Sequence, residues 1–150
     1  ERPQVVKALA RDVDIWLADI KYATEELGAE LSDAADYNAV TLRAVEQMLR
    51  QTGAPQFDAD GYLRRGVIIR HLVLPGHAAD SLVVVKQMAA LREKTSVEFL
   101  SSFMSQFTPF YHAADHGLGR RVTTYEYRKV VDAAIAAREE YTPPFDLEGV

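Results

Sequence analysis

The apolar positions of the chain fall into three short stretches, each closed by polar residues and each followed by apolar residues at helical spacing. The first stretch, residues 13–18, is rich in β-branched and aromatic residues, which favour strands. The second, residues 66–74, is almost continuously apolar, as is typical of a strand buried on both faces of a parallel sheet. The third strand is predicted within residues 97–107.

An amphipathic helix is predicted after each strand, over residues 38–52, 80–92 and 123–139. Gly53 is a natural stop for the first helix, and residues 123–126 (TTYE) form a capping box at the start of the third. The residues predicted to face the core are Leu42, Val45, Met48 and Leu49 in the first helix, Val84, Val85, Met88 and Leu91 in the second, and Tyr127, Val130, Val131, Ala134 and Ile135 in the third.

The connecting segments are predicted to be mostly irregular. Residues 24–36 are a polar stretch, residues 110–121 a loop, and residues 142–150 an irregular tail. Asp60-Gly61 has the composition of a hairpin turn. A further helix is predicted within residues 2–11, with no strand before it.

Alternation of strand and helix predicts an α/β fold with parallel strands and right-handed crossovers. Three strands leave two open edges and cannot close into a barrel. The leading helix would also be expected to follow a strand. Residues 1–150 are therefore predicted to form a single domain, a partial (β/α) barrel of about three strand–helix units that belongs to a larger barrel. Its open side is expected to promote self-association.

Composition narrows the function classes. Seventeen Lys and Arg against twenty-two Asp and Glu give a net charge of −5, without the basic footprint of a nucleic-acid binder or of a protein docked on anionic membranes. No apolar run approaches a membrane span and the amino end has no signal-peptide pattern, so a cytoplasmic protein is expected. The chain has no cysteine, which excludes disulfides and thiolate metal sites within it.

The candidate site residues lie where strands end, because parallel α/β folds collect functional groups there. Asp19 and Lys21 stand two apart after the first strand, so their side chains share a face. They would contribute to a polar ligand site, or form an ion pair at a strand exit, which the spacing alone favours.

Arg70 interrupts an apolar strand, and a buried guanidinium requires a carboxylate or phosphate partner. A ligand and a structural salt bridge are equally compatible with it. Gln106 shares a face with Ser102 and Met104, and either contacts a ligand or is a polar strand end. His71 faces the helices and is predicted to be a hydrogen-bonded packing residue.

Two motifs lack the context that a functional site requires. His112 and His116 are four apart, but they flank Ala-Ala in a predicted loop, so a surface loop rather than a metal site is expected. Gly117-x-Gly119 precedes Arg120 and not a strand-to-helix turn, so it is no dinucleotide fingerprint. No metal ligand and no catalytic residue is predicted in this chain.

Three segments resemble successive signatures of radical S-adenosylmethionine proteins, in particular the branch similar to pyruvate formate-lyase activating enzyme. They are residues 14–22 (DIWLADIKY), 66–76 (GVIIRHLVLPG) and 104–109 (MSQFTP). Their order and spacing fit over residues 12–139, and the second segment is the most specific.

The resemblance implies a partial (β/α)6 barrel that binds S-adenosylmethionine against a [4Fe–4S] cluster. In the activating enzymes this complex yields a 5′-deoxyadenosyl radical, which takes a hydrogen atom from a glycine of a partner glycyl radical enzyme. Asp19 and Lys21 match the family's Asp-x-Lys element near the cofactor, and Arg70 matches its strand arginine. Gln106 is a looser match on the adenosine side, because the family's histidine region differs here.

The chain departs from the family in lacking the Cys-x-x-x-Cys-x-x-Cys cluster motif. The resemblance therefore implies the carboxyl-terminal half of such a protein, without a cluster and inactive in radical chemistry alone. A glycyl radical enzyme as the substrate of the full-length protein is an analogy with the activating enzymes. The alternative interpretation is a stand-alone small α/β domain that binds an anionic metabolite through Arg70 and Lys21. A third is a structural domain that interacts through its acidic helix surfaces.

Overall fold

The computed structural model describes residues 2–139, so the predicted tail over residues 142–150 lies outside the described residues. The three predicted strand–helix units are present in the predicted order, with a further helix, a short hairpin strand and a 3-10 helix in the segments between them. In chain order they are α1 (Pro3–Ala8), β1 (Ile15–Asp19), α2 (Glu25–Ser32), α3 (Tyr37–Thr52), β2 (Gln56–Phe57), β3 (Leu63–Leu72), α4 (Ala78–Thr95), β4 (Leu100–Met104), a 3-10 helix (Tyr111–His116) and α5 (Thr124–Glu139).

The sheet has β3 at its centre, with β1 and β4 parallel to it on either side. The short β2 pairs antiparallel with the first residues of β3 through the predicted hairpin. The register places Asp19 opposite Arg70 and Leu72 opposite Met104. As a result, the carboxyl ends of the three parallel strands meet at one edge of the sheet.

The core lies on one face of this sheet. Trp16, Ala18 and Ile20 of the β1 segment are buried together with Val67 and Ile69 of β3. Right-handed crossovers between strands that follow each other in sequence order place their helices on the same side. The buried helix residues that pack against this face are Val6 of α1, Val45, Met48 and Leu49 of α3, Val84, Met88 and Leu91 of α4, and, in an adjoining cluster, Val130 of α5.

The opposite face of the sheet carries no layer of helices among the described residues. Leu17 is 55% exposed and Ile15 is 41% exposed. Ile68 and Leu72 of β3 are only half-buried on this side. The prediction that the second strand is buried on both faces is therefore wrong for this structure. The molecule is an α/β protein with an open, mixed sheet of four strands.

Two ion pairs join β1 and β3, one at each end of the strand pair. Arg65 Nη1 donates to Asp14 Oδ1 at 3.0 Å near the amino end. Arg70 Nε donates to Asp19 Oδ1 at 2.7 Å at the carboxyl end. Arg65 also donates to the backbone oxygens of α3, whereas Arg70 lies on the open face.

Helix predictions hold best where the buried stripe is long. α3 ends just before Gly53, the predicted stop, whose φ is 77°. α2 was not predicted, because within the polar segment only Leu27 and Gly28 are buried. Ile135 is 52% exposed, so its predicted burial is wrong. The inward positions of the last turns of α5 are taken by alanines, Ala133, Ala134 and Ala137. No helix within residues 2–139 is long and apolar enough to cross a membrane.

Gly66 begins the parallel part of β3 in a conformation that L-residues rarely adopt, with a φ of 141°. A Cβ at this position would lie 3.1 Å from the backbone Cα of Pro55. We expect Gly66→Ala to lower the free energy of unfolding by about 2 kcal/mol, measured by urea denaturation. Gly61→Ala is the control, since its φ of 84° is also positive but nothing lies within 4 Å. Equal losses in the two variants would contradict the role of the Pro55 contact.

Candidate functional site

A pocket of about 250 Å³ opens at the carboxyl ends of β1, β3 and β4, on the face without helices. All four residues that the sequence analysis selected contribute to its wall, although they come from three strand ends. The residues that line it are Asp19, Lys21, Tyr22, Arg70, Leu72, Leu74, Met104 and Gln106.

Asp19 and Arg70 form a bidentate ion pair in the wall of the pocket. Arg70 Nε lies 2.7 Å from Asp19 Oδ1, and Nη2 lies 3.2 Å from Oδ2. The favoured sequence interpretation, an Asp19–Lys21 ion pair, is not what the structure contains. The strand register sets Arg70 directly across from Asp19, and the planar guanidinium fits the carboxylate with two parallel hydrogen bonds.

The pocket has more positive than negative charge. Arg70 uses only two of its guanidinium N–H groups on Asp19 and is 37% exposed, so donors remain for a second acceptor. Lys21 is exposed and takes part in no ion pair among the described residues. With Asp19 neutralised by Arg70, Lys21 supplies an unbalanced ammonium. The site is therefore suited to an anionic group such as a carboxylate.

Apolar side chains form the rest of the wall. Leu72 and Met104 lie on the open face of the sheet, level with each other in the register. Gln106 is exposed, and within residues 2–139 its amide Nε2 donates only to the thioether of Met104, at 3.6 Å. Its amide can therefore turn towards a bound molecule without losing a strong hydrogen bond. Charged groups beside an apolar wall suit an amphipathic ligand.

Sequence reasoning missed Tyr22, Leu72, Leu74 and Met104 as pocket residues. A signal was present for two of them, since Leu72 stands two residues from Arg70 and Met104 two from Gln106. The period of two along a strand assigns each pair to one face.

His71 occupies the helix side of β3 and is buried, with 2% exposure. Nδ1 lies 2.7 Å from the carbonyl oxygen of Ile20, which can only accept, so Nδ1 carries the hydrogen. Nε2 lies 2.8 Å from Ser81 Oγ and accepts from it in the neutral ring. Burial lowers the pKa of His71, while the Ile20 carbonyl and the Asp80 charge oppose that shift. The prediction of a hydrogen-bonded packing residue is confirmed.

His112 and His116 are exposed, as expected of a surface segment, but they lie on a 3-10 helix and not in an irregular loop. His112 Nδ1 lies 3.0 Å from Asp115, and His116 Nδ1 lies 3.1 Å from Glu30. The two imidazoles thus have different carboxylate partners. Within residues 2–139 no group of three or more His, Asp or Glu side chains is arranged to hold a metal ion.

Comparisons of the chain with protein-family models, with curated proteins and with solved structures find no match. The pocket, built from three strand ends, is therefore the feature on which a functional proposal for this chain is based.

Proposed function

We propose that the chain is part of a radical S-adenosylmethionine protein and that the pocket binds S-adenosylmethionine. The observation that carries the proposal is the convergence of Asp19, Lys21, Arg70 and Gln106 on one pocket. Each of the three sequence segments that resemble the family contributes residues to this pocket. The convergence supports the proposal because it allows the four side chains to contact a single ligand.

The pocket suits the amino-acid portion of this ligand. Arg70 would donate its remaining N–H groups to the methionyl carboxylate, and Lys21 would add a second positive charge beside it. Gln106 would contact a ribose hydroxyl or the base. Leu72 and Met104 would cover the apolar parts. The volume of about 250 Å³ falls just below the ~300–1,000 Å³ of pockets that enclose a whole ligand of this size, so another wall is needed.

The residues of this chain do not fit a [4Fe–4S] cluster, since the chain contains no cysteine thiolate. We therefore assign to it only the binding and orientation of S-adenosylmethionine. Cluster ligands would come from residues outside this sequence. Cleavage of the ligand to a radical is proposed for the larger protein and not for this chain alone.

The open sheet supports a partial (β/α) barrel as the finer description of the fold. The strands follow their sequence order, and α1, α3, α4 and α5 pack on one face, as they do around a barrel. The exposed side chains of Ile15, Leu17 and Leu100 then belong to the barrel interior. We propose that further strands of the larger protein cover this face. In their absence the face would drive self-association.

Partners and location follow from the same proposal. A glycyl radical enzyme or another protein would be the substrate of the larger protein, by analogy with the activating enzymes. The acidic charge of −5 supports neither nucleic acid nor an anionic membrane as a partner, and a cytoplasmic location is proposed.

Arg70→Ala in the full-length natural protein is expected to weaken S-adenosylmethionine binding roughly 10- to 100-fold, the scale of a lost charged hydrogen-bonding group. Isothermal titration calorimetry measures it. Arg65→Ala is a matched control, because Arg65 joins the same two strands through Asp14 at the end away from the pocket. It should leave the affinity unchanged. Equal affinity of Arg70→Ala and the natural protein would overturn the proposal.

Binding of an anionic metabolite by a stand-alone domain is a second candidate, favoured by the unbalanced ammonium of Lys21. The same calorimetry separates the two candidates. If citrate or phosphate binds in an Arg70-dependent way and S-adenosylmethionine does not, the second candidate replaces the first. If S-adenosylmethionine binds tightly and simple anions do not displace it, the first stands.

A further inference from the structure

The segment that carries Lys21 and Tyr22 into the pocket, residues 19–24, is largely irregular but is held at nearly every peptide. Side chains from three elements bond to its backbone, and we call them the clamp. The bonds are Tyr37 Oη to Asp19 O at 3.0 Å, Lys21 N to Tyr37 Oη at 3.2 Å, His71 Nδ1 to Ile20 O at 2.7 Å, Asn38 Nδ2 to Tyr22 O at 2.8 Å, and the amides of Ala23 and Thr24 to Asp80.

Asp80 is the charged member of the clamp. It lies in the first turn of α4 and is only 9% exposed. The amide of Ala23 lies 3.0 Å from Oδ2, and the amide of Thr24 lies 3.0 Å from Oδ1. Ala23 and Thr24 are the two residues after Tyr22, so the Asp80 carboxylate fixes the backbone immediately after the pocket residues Lys21 and Tyr22. Asp80 does not line the pocket.

The other members leave the segment little freedom. Asn38 is itself held by Gln87, with both amide–amide distances at 3.0 Å. Tyr37 both donates to Asp19 and accepts from Lys21. Charge-assisted hydrogen bonds are the strongest of this set, so Asp80 contributes most to the order of the segment. An irregular segment fixed before binding does not lose conformational entropy when a ligand arrives.

We propose that Asp80 is a positioning residue, which sets Lys21 and Tyr22 at the pocket and so controls the affinity for a ligand carboxylate that Asp80 itself never touches. The inference rests on the proposed binding function. A residue with a purely structural role would affect binding only through folding, whereas Asp80 is proposed to act through the position of Lys21. Removing the clamp's charge should weaken binding beyond any effect on folding.

The test is Asp80→Asn, which keeps the size of the side chain and removes its charge and one acceptor. In the full-length natural protein we expect S-adenosylmethionine affinity to fall about tenfold. This is the size of loss seen when a residue that orients a metal ligand is removed from a metal site. Faster hydrogen exchange confined to residues 20–24 should accompany it. Asp58→Asn is the control, since Asp58 also accepts two backbone amides, of Asp60 and Tyr62, but in the hairpin at the other end of β3. It should not change affinity.

A double-mutant cycle with Lys21→Met isolates the positioning role. If Asp80 acts through Lys21, Asp80→Asn should cost clearly less affinity in the Lys21→Met background than in the natural one. An equal cost in both backgrounds, or unchanged affinity in Asp80→Asn, would overturn the inference. If the natural protein binds no S-adenosylmethionine, the proposed function fails separately. Citrate then serves as the probe. The inference would be overturned if the natural protein did not bind citrate either, or if Asp80→Asn did not speed hydrogen exchange in residues 20–24.

Discussion

Replacing His71 by alanine is expected to lower the free energy of unfolding by about 3–4 kcal/mol. The imidazole bridges the carbonyl oxygen of Ile20 and the hydroxyl of Ser81, both inside the protein. Each group left without its partner costs about 1–3 kcal/mol, and the vacated volume adds to the loss. Urea denaturation followed by circular dichroism measures the change.

The same variant should lose part of the protein's response to mild acid. Burial lowers the pKa of His71 below its ordinary value near 6.5, so the unfolded chain takes up its proton at a higher pH than the folded chain. The contribution of neutral His71 is therefore complete above about pH 6.5 and declines as the pH falls towards the folded pKa. Between pH 7.5 and 5.5 the natural protein should lose more stability than His71→Ala.

His112→Ala is the control for this experiment, because its side chain is 86% exposed on the 3-10 helix. It should change neither the stability nor its dependence on pH by more than about 0.5 kcal/mol. A natural pH response that survives in His71→Ala but disappears in His112→Ala would show that the buried imidazole is not its source.

Glu126→Gln is expected to cost about 2–3 kcal/mol of stability. The carboxylate accepts two hydrogen bonds from Arg120, at 2.7 and 2.8 Å, and one from the Gly76 amide at 2.7 Å. It also accepts from the amide and hydroxyl of Thr123, at 2.9 and 2.8 Å, which completes the predicted capping box. Glu126 thus joins the start of α5 to the loop between β3 and α4.

These donors, Arg120 foremost, hold the pKa of Glu126 well below its ordinary range. A carboxylate of this kind stabilises the fold fully above its unfolded pKa near 4.3, and the stabilisation is lost as the pH falls below that value. Chemical denaturation at pH 7 and at pH 3.5 should therefore show a smaller acid loss in Glu126→Gln than in the natural protein.

Glu46→Gln is the matched control. Lys94 and Arg50 also lower the pKa of Glu46, but these pairs lie on the outer surface of α3 and α4. Glu46 bonds to these two surface cations and accepts from no backbone amide among the described residues, so its loss should be about 0–1 kcal/mol, below that of Glu126→Gln. If Glu46→Gln lost as much stability as Glu126→Gln, charge pairing alone would explain the loss, and the hydrogen bond to Gly76 would not be needed.

The fold was predictable from the sequence where hydrophobic contrast is strong. The apolar runs located β1, β3 and β4, and the spacing of Val84, Met88 and Leu91 located the buried face of α4. Periodicity failed for α2, where two buried residues give too short a pattern. It also failed at Ile135, because a hydrophobic residue in the last turns of a helix can lie beyond the layer that it would pack against.

The pocket residues were predictable from strand ends, whereas their partners were not. Asp19 bonds to Arg70 across 51 residues of sequence, and Asp80 bonds to Ala23 across 57. No local spacing encodes such pairs, because they depend on the register between strands and on where α4 begins. Spacing within one strand suggested Lys21 as the partner of Asp19 only because it was the nearest cation in sequence.

The two ion pairs between β1 and β3 make misaligned pairing of these strands costly. Arg65 and Arg70 stand an odd number of residues apart, so one pair forms on each face of the sheet. A shift of the β1 register by one residue would break both ion pairs and also expose Trp16 to water. The alignment that creates the pocket is thereby specified by contacts within the protein and does not require a bound ligand.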